Sequence, residues 1–196
     1  MATVPNSNGK MQPKIKIKDK KKHLAEGQPF DFKFIKVVVK KSNSEKEGKD
    51  IFIERDWVQK NNNIPHFANV IKSVSETEGV EITMNCNIDA FNWILAFVKI
   101  KTSFDDKMEN AGTHESIRMA DELDSSLYEK MDEISNENCL NVLVTSYFLQ
   151  LTWVYEKVWK YYFARNFSEV INSCKISLTN VNPAIIKDIA VRISEL

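Results

Sequence analysis

Thirteen residues constrain this chain more than any others: NIDAFNWILAFVK, Asn87 to Lys99. Phe91, Ile94, Leu95 and Val98 fall at i, i+3, i+4 and i+7, while Trp93, Phe97 and Ile100 make a second apolar stripe. Only Asn92, Ala96 and Lys99 are left for the remaining arc. A helix with two apolar stripes is buried on two sides, so the rest of the domain must be laid around it. Asn87 or Asp89 stands where an N-cap oxygen is needed. Large aromatics this close together would also suit a platform for stacking a ligand or a base, but such a platform needs exposed rings beside positive charge. The spacing therefore predicts core aromatics.

A core of that kind needs one substantial domain, and 196 residues with 43% hydrophobic content supply it. Lys plus Arg and Asp plus Glu are equal at 27 each, which argues against a polyanion binder and makes nucleic acid an unexpected partner. Cys86, Cys139 and Cys174 are far apart and never in a CxxC pair, so neither a disulfide framework nor a zinc site is expected. His23, His66 and His114 have no metal-ligand spacing. There is no GxSxG, no phosphate-cradling glycine loop and no nucleophile with base and orienter, so the chain is not expected to be an enzyme or to take a cofactor or small-molecule substrate. Without an apolar run of spanning length or a signal core, no membrane role is expected. The location expected is intracellular, cytoplasmic or nuclear.

Charge divides the chain. Residues 1–29 carry Lys10, Lys14, Lys16, Lys18, Lys20, Lys21 and Lys22 among few apolar groups and read as a basic, disordered arm. Its KDKKKH cluster is either a nuclear address or simply a solvated run. Residues 30–196 then read as one domain. FDFKFIKVVVKK and IFIERD make a hairpin across SNSEKEGKD, and VEITM makes a third strand before the buried helix. Pro65 suits the first turn of a short helix between them. From Cys139 the pattern is helical: NVLVTSYFL, a break at Gln150 to Thr152, then TWVYEKVWKYYFARN. In that second segment Val154, Val158 and Tyr161 share one face and Tyr155, Trp159 and Tyr162 another. A last helix starts at Pro183 with Asn182 as its cap.

Between these parts lies an acidic insertion, residues 102–137, with eleven acids against Lys107, Arg118 and Lys130. Ile117, Leu123, Leu127, Met131 and Ile134 recur at helical spacing on a segment that Thr113 could cap. Such a face either docks on its own domain or binds a partner.

Hairpin, short helix, strand, buried aromatic helix and tight helix pair is an order that resembles a BTB/POZ domain, an α+β fold with a small sheet flanked by a helical cluster. VEITMNCNIDAFNWILAFVK is similar to the BTB-like domain of the SANT and BTB domain regulator of class switch recombination family. The likeness rests on Val80, Ile82, Cys86, Phe91, Asn92, Trp93, Val98 and Lys99, with Arg55–Asp56, Phe67–Ala68 and NVLVTSYFLQL in support and Cys174, Asn180 and Ile189–Ala190 trailing. The acidic stretch is longer than the usual connection there.

The resemblance implies a non-enzymatic module for protein partners: a homodimer, part of a larger assembly, or an adaptor and scaffold. It places the contact on the first strand and first helices, at Phe32, Phe34, Ile35, Trp57, Phe67 and Val70, with an open apolar strand edge at Phe32 to Val39. The same six residues could equally close the domain's own core. The alternative employment of the fold is a cullin-dependent ubiquitin-ligase substrate adaptor, which needs an accessible groove beside the buried helix.

Overall fold

A computed structural model describes residues 14–19, 33–41, 48–75, 78–173 and 183–194. Among them, strands β1 (Lys14–Asp19), β2 (Phe34–Lys40), β3 (Lys49–Glu54) and β4 (Glu78–Asn85) form one sheet in the order β1-β4-β2-β3. The hairpin and the third strand form as predicted. Ile35 lies opposite Ile53 and Val37 opposite Ile51 in the antiparallel β2–β3 pair, and Ile35, Val37 and Val39 run beside Val80, Ile82 and Met84 in the parallel β2–β4 pair. These residues line one face, and helices cover it. A Cβ on Gly48 would come within 2.7 Å of the Val38 side chain and 2.9 Å of the Val39 carbonyl oxygen, so glycine is needed where β3 begins.

Two expectations are corrected here. Within the basic arm, Lys14–Asp19 is a strand, antiparallel to β4. KIKIKD alternates with period two, and β4 offers it a row of backbone groups. Ile15 and Ile17 lie opposite Ile82 and Val80, on the helix-covered face, yet stay 44% and 53% exposed because they sit at its margin. The rest of residues 1–29 lie outside the described residues. Secondly, β2 is an inner strand, bonded to β4 and β3, so it presents no open edge; β1 and β3 are the outer strands.

The parallel β2–β4 pair requires a crossover. It is made by α1 (Arg55–Gln59) and α2 (Pro65–Ile71), with Pro65 in the first turn of α2 as anticipated. The buried Arg55 guanidinium ties this corner together, donating to the carbonyls of Val74 (2.9 Å), Ser75 (3.2 Å) and Glu78 (3.2 Å).

The opening stretch becomes α3 (Ile88–Met108), capped by Asn87, whose side chain accepts from the Asp89 and Ala90 amides at 2.8 and 3.1 Å. Ala90, Phe91, Trp93, Ile94, Leu95, Phe97 and Val98 are all buried. Trp93 stacks on Phe97 (4.7 Å) and Phe97 on Trp153 (5.4 Å), so the aromatic cluster is core.

Helix α4 (Thr113–Asp132) packs along α3, followed by α5 (Asn136–Phe148) and α6 (Thr152–Val158). Gly112, not Thr113, occupies the N-cap position of α4. The α5–α6 joint is tight: Gln150 adopts φ 60° and the Leu151 amide reaches back 2.9 Å to the Ser146 carbonyl. A π-helical turn, Trp159–Phe163, extends α6 and is closed by Ala164 N–H to the Trp159 carbonyl at 2.9 Å. The chain continues in α7 (Phe167–Ser173) and α8 (Pro183–Ile193). Pro183 opens α8 as predicted, while Asn182 lies outside the described residues. Tyr155 donates to Asp188 at 2.6 Å and Arg192 to Glu156 at 2.5 and 2.9 Å, holding α8 on α6.

Candidate interaction surfaces

Of the six residues proposed for the first contact, the five described ones do not form one patch. Adjacent strand residues point to opposite faces. Ile35 is therefore in the core while its neighbour Phe34 lies half-buried on the other face of the sheet. Phe67 is also fully buried, 6.3 Å from the Phe91 ring. For Ile35 and Phe67, closing the domain's own core is the reading that holds, and neither is available to a partner in this fold. Trp57 and Val70 are half-buried on α1 and α2. The Trp57 indole donates to Thr102 Oγ1 at 3.1 Å, and the Lys99 ammonium lies 5.8 Å from its ring. Phe32 lies outside the described residues.

The sheet face away from the helices carries a charged row that the sequence reading missed. Glu81, buried, stands between Lys16 (3.7 Å) and Lys36 (3.8 Å), and Lys36 reaches Asp50 at 2.7 Å. Register sets these neighbours: Lys16 pairs with Glu81 across β1–β4, and Lys36 with Glu81 across β2–β4. Exposed Phe52 ends the row opposite Lys36.

The insertion splits into two halves. Leu127 and Met131 of α4 and Ile134 just beyond it are buried, Leu123 is half-buried, and the Trp93 indole donates to the Lys130 carbonyl at 2.9 Å. This half docks on α3 and belongs to the core. Of the two readings of this face, docking on its own domain is the one that holds for this half: Leu127, Met131 and Ile134 join the core that α3 centres. Ile117 is different, 59% exposed among ion pairs of Arg118 with Glu115 (2.5 Å) and with Glu122. Those pairs lower the Glu115 pKa and raise that of Arg118.

A second aromatic group sits at the surface. Tyr128 of α4, 41% exposed, meets Tyr161 edge-on at 5.1 Å. Lys160 (5.2 Å), Arg165 (5.6 Å) and Lys157 (5.7 Å) surround the Tyr161 ring, and Lys157 also reaches Asp124 at 3.3 Å. The neighbouring Tyr128 hydroxyl lowers the Tyr161 pKa, helped by the Lys160 and Lys157 charges, and Tyr161 raises that of Tyr128 in turn. Regular spacing put Tyr161 with Val154 and Val158. In the π-turn, which carries an extra residue, Tyr161 is half-buried and packs against the same core as those two valines, with its ring beside the surface cations. The basic spacing 157, 160, 165 around a tyrosine was the available signal.

Elsewhere the chemistry is muted. Burial pushes the thiols of Cys86 and Cys139 up to about 12, so both are protonated at neutral pH and poor nucleophiles. Cys174 lies outside the described residues. Burial lowers the His66 pKa, and its ring packs 4.9 Å from Phe148. Among the described residues no group of three or more His, Cys, Asp or Glu is placed to hold a metal ion, and no helix is long and apolar enough to cross a membrane.

Residues 34–158, more than half of the chain, match the family model of the BTB domain of the SANT and BTB domain regulator of CSR. The matched span runs from β2 to the end of α6 and includes the whole acidic segment; β1, the π-turn, α7 and α8 lie beyond it. No curated protein and no solved structure matches the chain.

Proposed function

Because the chain belongs to the BTB domain family of the SANT and BTB domain regulator of CSR, and BTB domains are generally protein–protein interaction modules, we propose that it acts by self-association, as an oligomerisation module that scaffolds a protein assembly. The family match is the observation that carries this reading. The chemistry of the domain agrees with it: the aromatics of α3 are spent on the core, the two described thiols are inert, and the side chains left at the surface are suited to contact. An intracellular location goes with this role. The cullin-adaptor alternative is weaker, because α4 packs along α3 where such an adaptor needs an open groove.

Sedimentation velocity of the intact chain tests the reading. The expected result is a weight-average mass that rises with concentration up to tens of micromolar, on the order of ordinary weak association. A strict monomer across that range overturns it.

A further inference from the structure

One stripe of α4 carries Ile117, Asp121, Asp124 and Tyr128, at i, i+4, i+7 and i+11, and all four are exposed. The neighbouring stripe, Leu123, Leu127 and Met131, centred about a quarter-turn round the helix, is the one docked on α3. The exposed stripe is unlike at its two ends. Towards its start, Ile117 stands among Glu115 and Glu122, both paired with Arg118, and Asp121. Towards its end, Tyr128 and Tyr161 stand among Lys157, Lys160 and Arg165. Among the described residues no carboxylate pairs with Lys160 or Arg165, and no cation pairs with Asp121.

We infer that this stripe is a self-recognition surface, occupied by the same stripe of a second copy of this chain running antiparallel to it. The inference rests on the oligomerisation reading and names its surface. A two-fold interface must present both complementary halves on one patch, and this patch does. With the axis between Asp121 and Asp124, Ile117 of each copy meets Tyr128 of the other. Asp121 then faces the partner copy's Asp124 and the Lys157 that accompanies it, so the lysine offsets two carboxylates that would otherwise repel. Ile117 and Tyr128 lie about 16 Å apart along the helix at 1.5 Å per residue. The contact is thus short, about three turns, and its association is weak and weakened further by salt.

The alternative occupant, an acidic segment of another protein on the basic end alone, leaves Ile117 without a role. The test is sedimentation velocity of the intact chain and its variants, with melting temperature as the check on folding. Ile117→Lys should weaken association at least about tenfold while melting as the natural chain does, because it removes the apolar contact and sets a cation against the basic surroundings of Tyr128. Lys157→Glu should weaken it similarly, and Asp121→Lys with Lys157→Glu should restore it to within about threefold, because the swapped charges attract again. If the natural chain associates but Ile117→Lys and Lys157→Glu associate equally well, this surface is wrong and the oligomerisation reading stands. A natural chain that is monomeric throughout overturns both. Loss of association in Lys157→Glu without recovery in the double also overturns the pairing, and Ile117→Ser, which adds no charge, should weaken association on its own if the surface is right.

Discussion

Helices α3 and α4 are almost equal in length, 21 and 20 residues, and lie against each other, yet the first is buried on two sides and the second holds on by its last turns. Seven residues of α3 are buried; in α4 only Leu127 and Met131 are. The difference follows from composition. Apolar groups on most arcs leave α3 only the stripe of Asp89, Asn92, Lys99, Ser103 and Asp106 for water, whereas the acids of α4 must stay solvated and leave it one narrow stripe for docking. Position in the core therefore decides what a mutation in either helix does.

The largest effect is expected from Trp93→Ala. It removes the ring stacked on Phe97 and the indole bond to the Lys130 carbonyl, and should cost about 3 to 5 kcal/mol in urea unfolding. An unchanged unfolding midpoint would break the claim that the aromatics of α3 are core. Leu127→Ala asks whether the docked half of α4 belongs to that same core, with an expected loss of about 2 to 4 kcal/mol. A loss near zero would return the whole insertion to the surface.

A gentler probe of the packed side is His66. Its folded pKa is lowered by burial, so above the unfolded value of about 6.5 the ring is neutral in both states and stability is unaffected. As pH falls below that value the unfolded chain takes the proton first, and stability declines until the folded ring also titrates. Unfolding measured from pH 7.5 to 5 should therefore show a shallower decline in His66→Phe than in the natural chain. Parallel curves would mean the ring is not held away from water.

The smallest effect belongs to the open side. Ile117→Ser should change stability by less than about 0.5 kcal/mol, because its side chain already meets solvent. A loss comparable to that of Leu127→Ala would erase the contrast between the two halves of α4.

What could be read in advance divides along similar lines. The hairpin, the buried helix with its Asn87 cap, the starts at Pro65 and Pro183 and the tight α5–α6 pair were legible, because each rests on local chemistry or a strong apolar period. Strand β1 was not, since two isoleucines among lysines make no strand until β4 supplies the partner. Grouping Phe34 with Ile35 ignored the alternation that separates them across the sheet. The π-turn was not legible either, because nothing in WKYYF announces the extra residue it carries. Leu123, Leu127, Met131 and Ile134 were read correctly as an apolar face, but Ile117 was grouped with them although it lies about 80° to 120° round the helix from Leu127 and Leu123 and faces solvent.

The account claims that α4 is held in the core by its last turns and that its exposed side, from Ile117 to Tyr128, is a contact surface. Amide hydrogen exchange of the intact chain, at a dilution where it is monomeric and at a concentration where it associates, tests this most directly. Residues 123–132 should be protected at both concentrations, and residues 114–121 should exchange fast when dilute and slow down on association. Uniform protection of α4 at both concentrations, or slowing confined to β1 and α1 with none in α4, would contradict it.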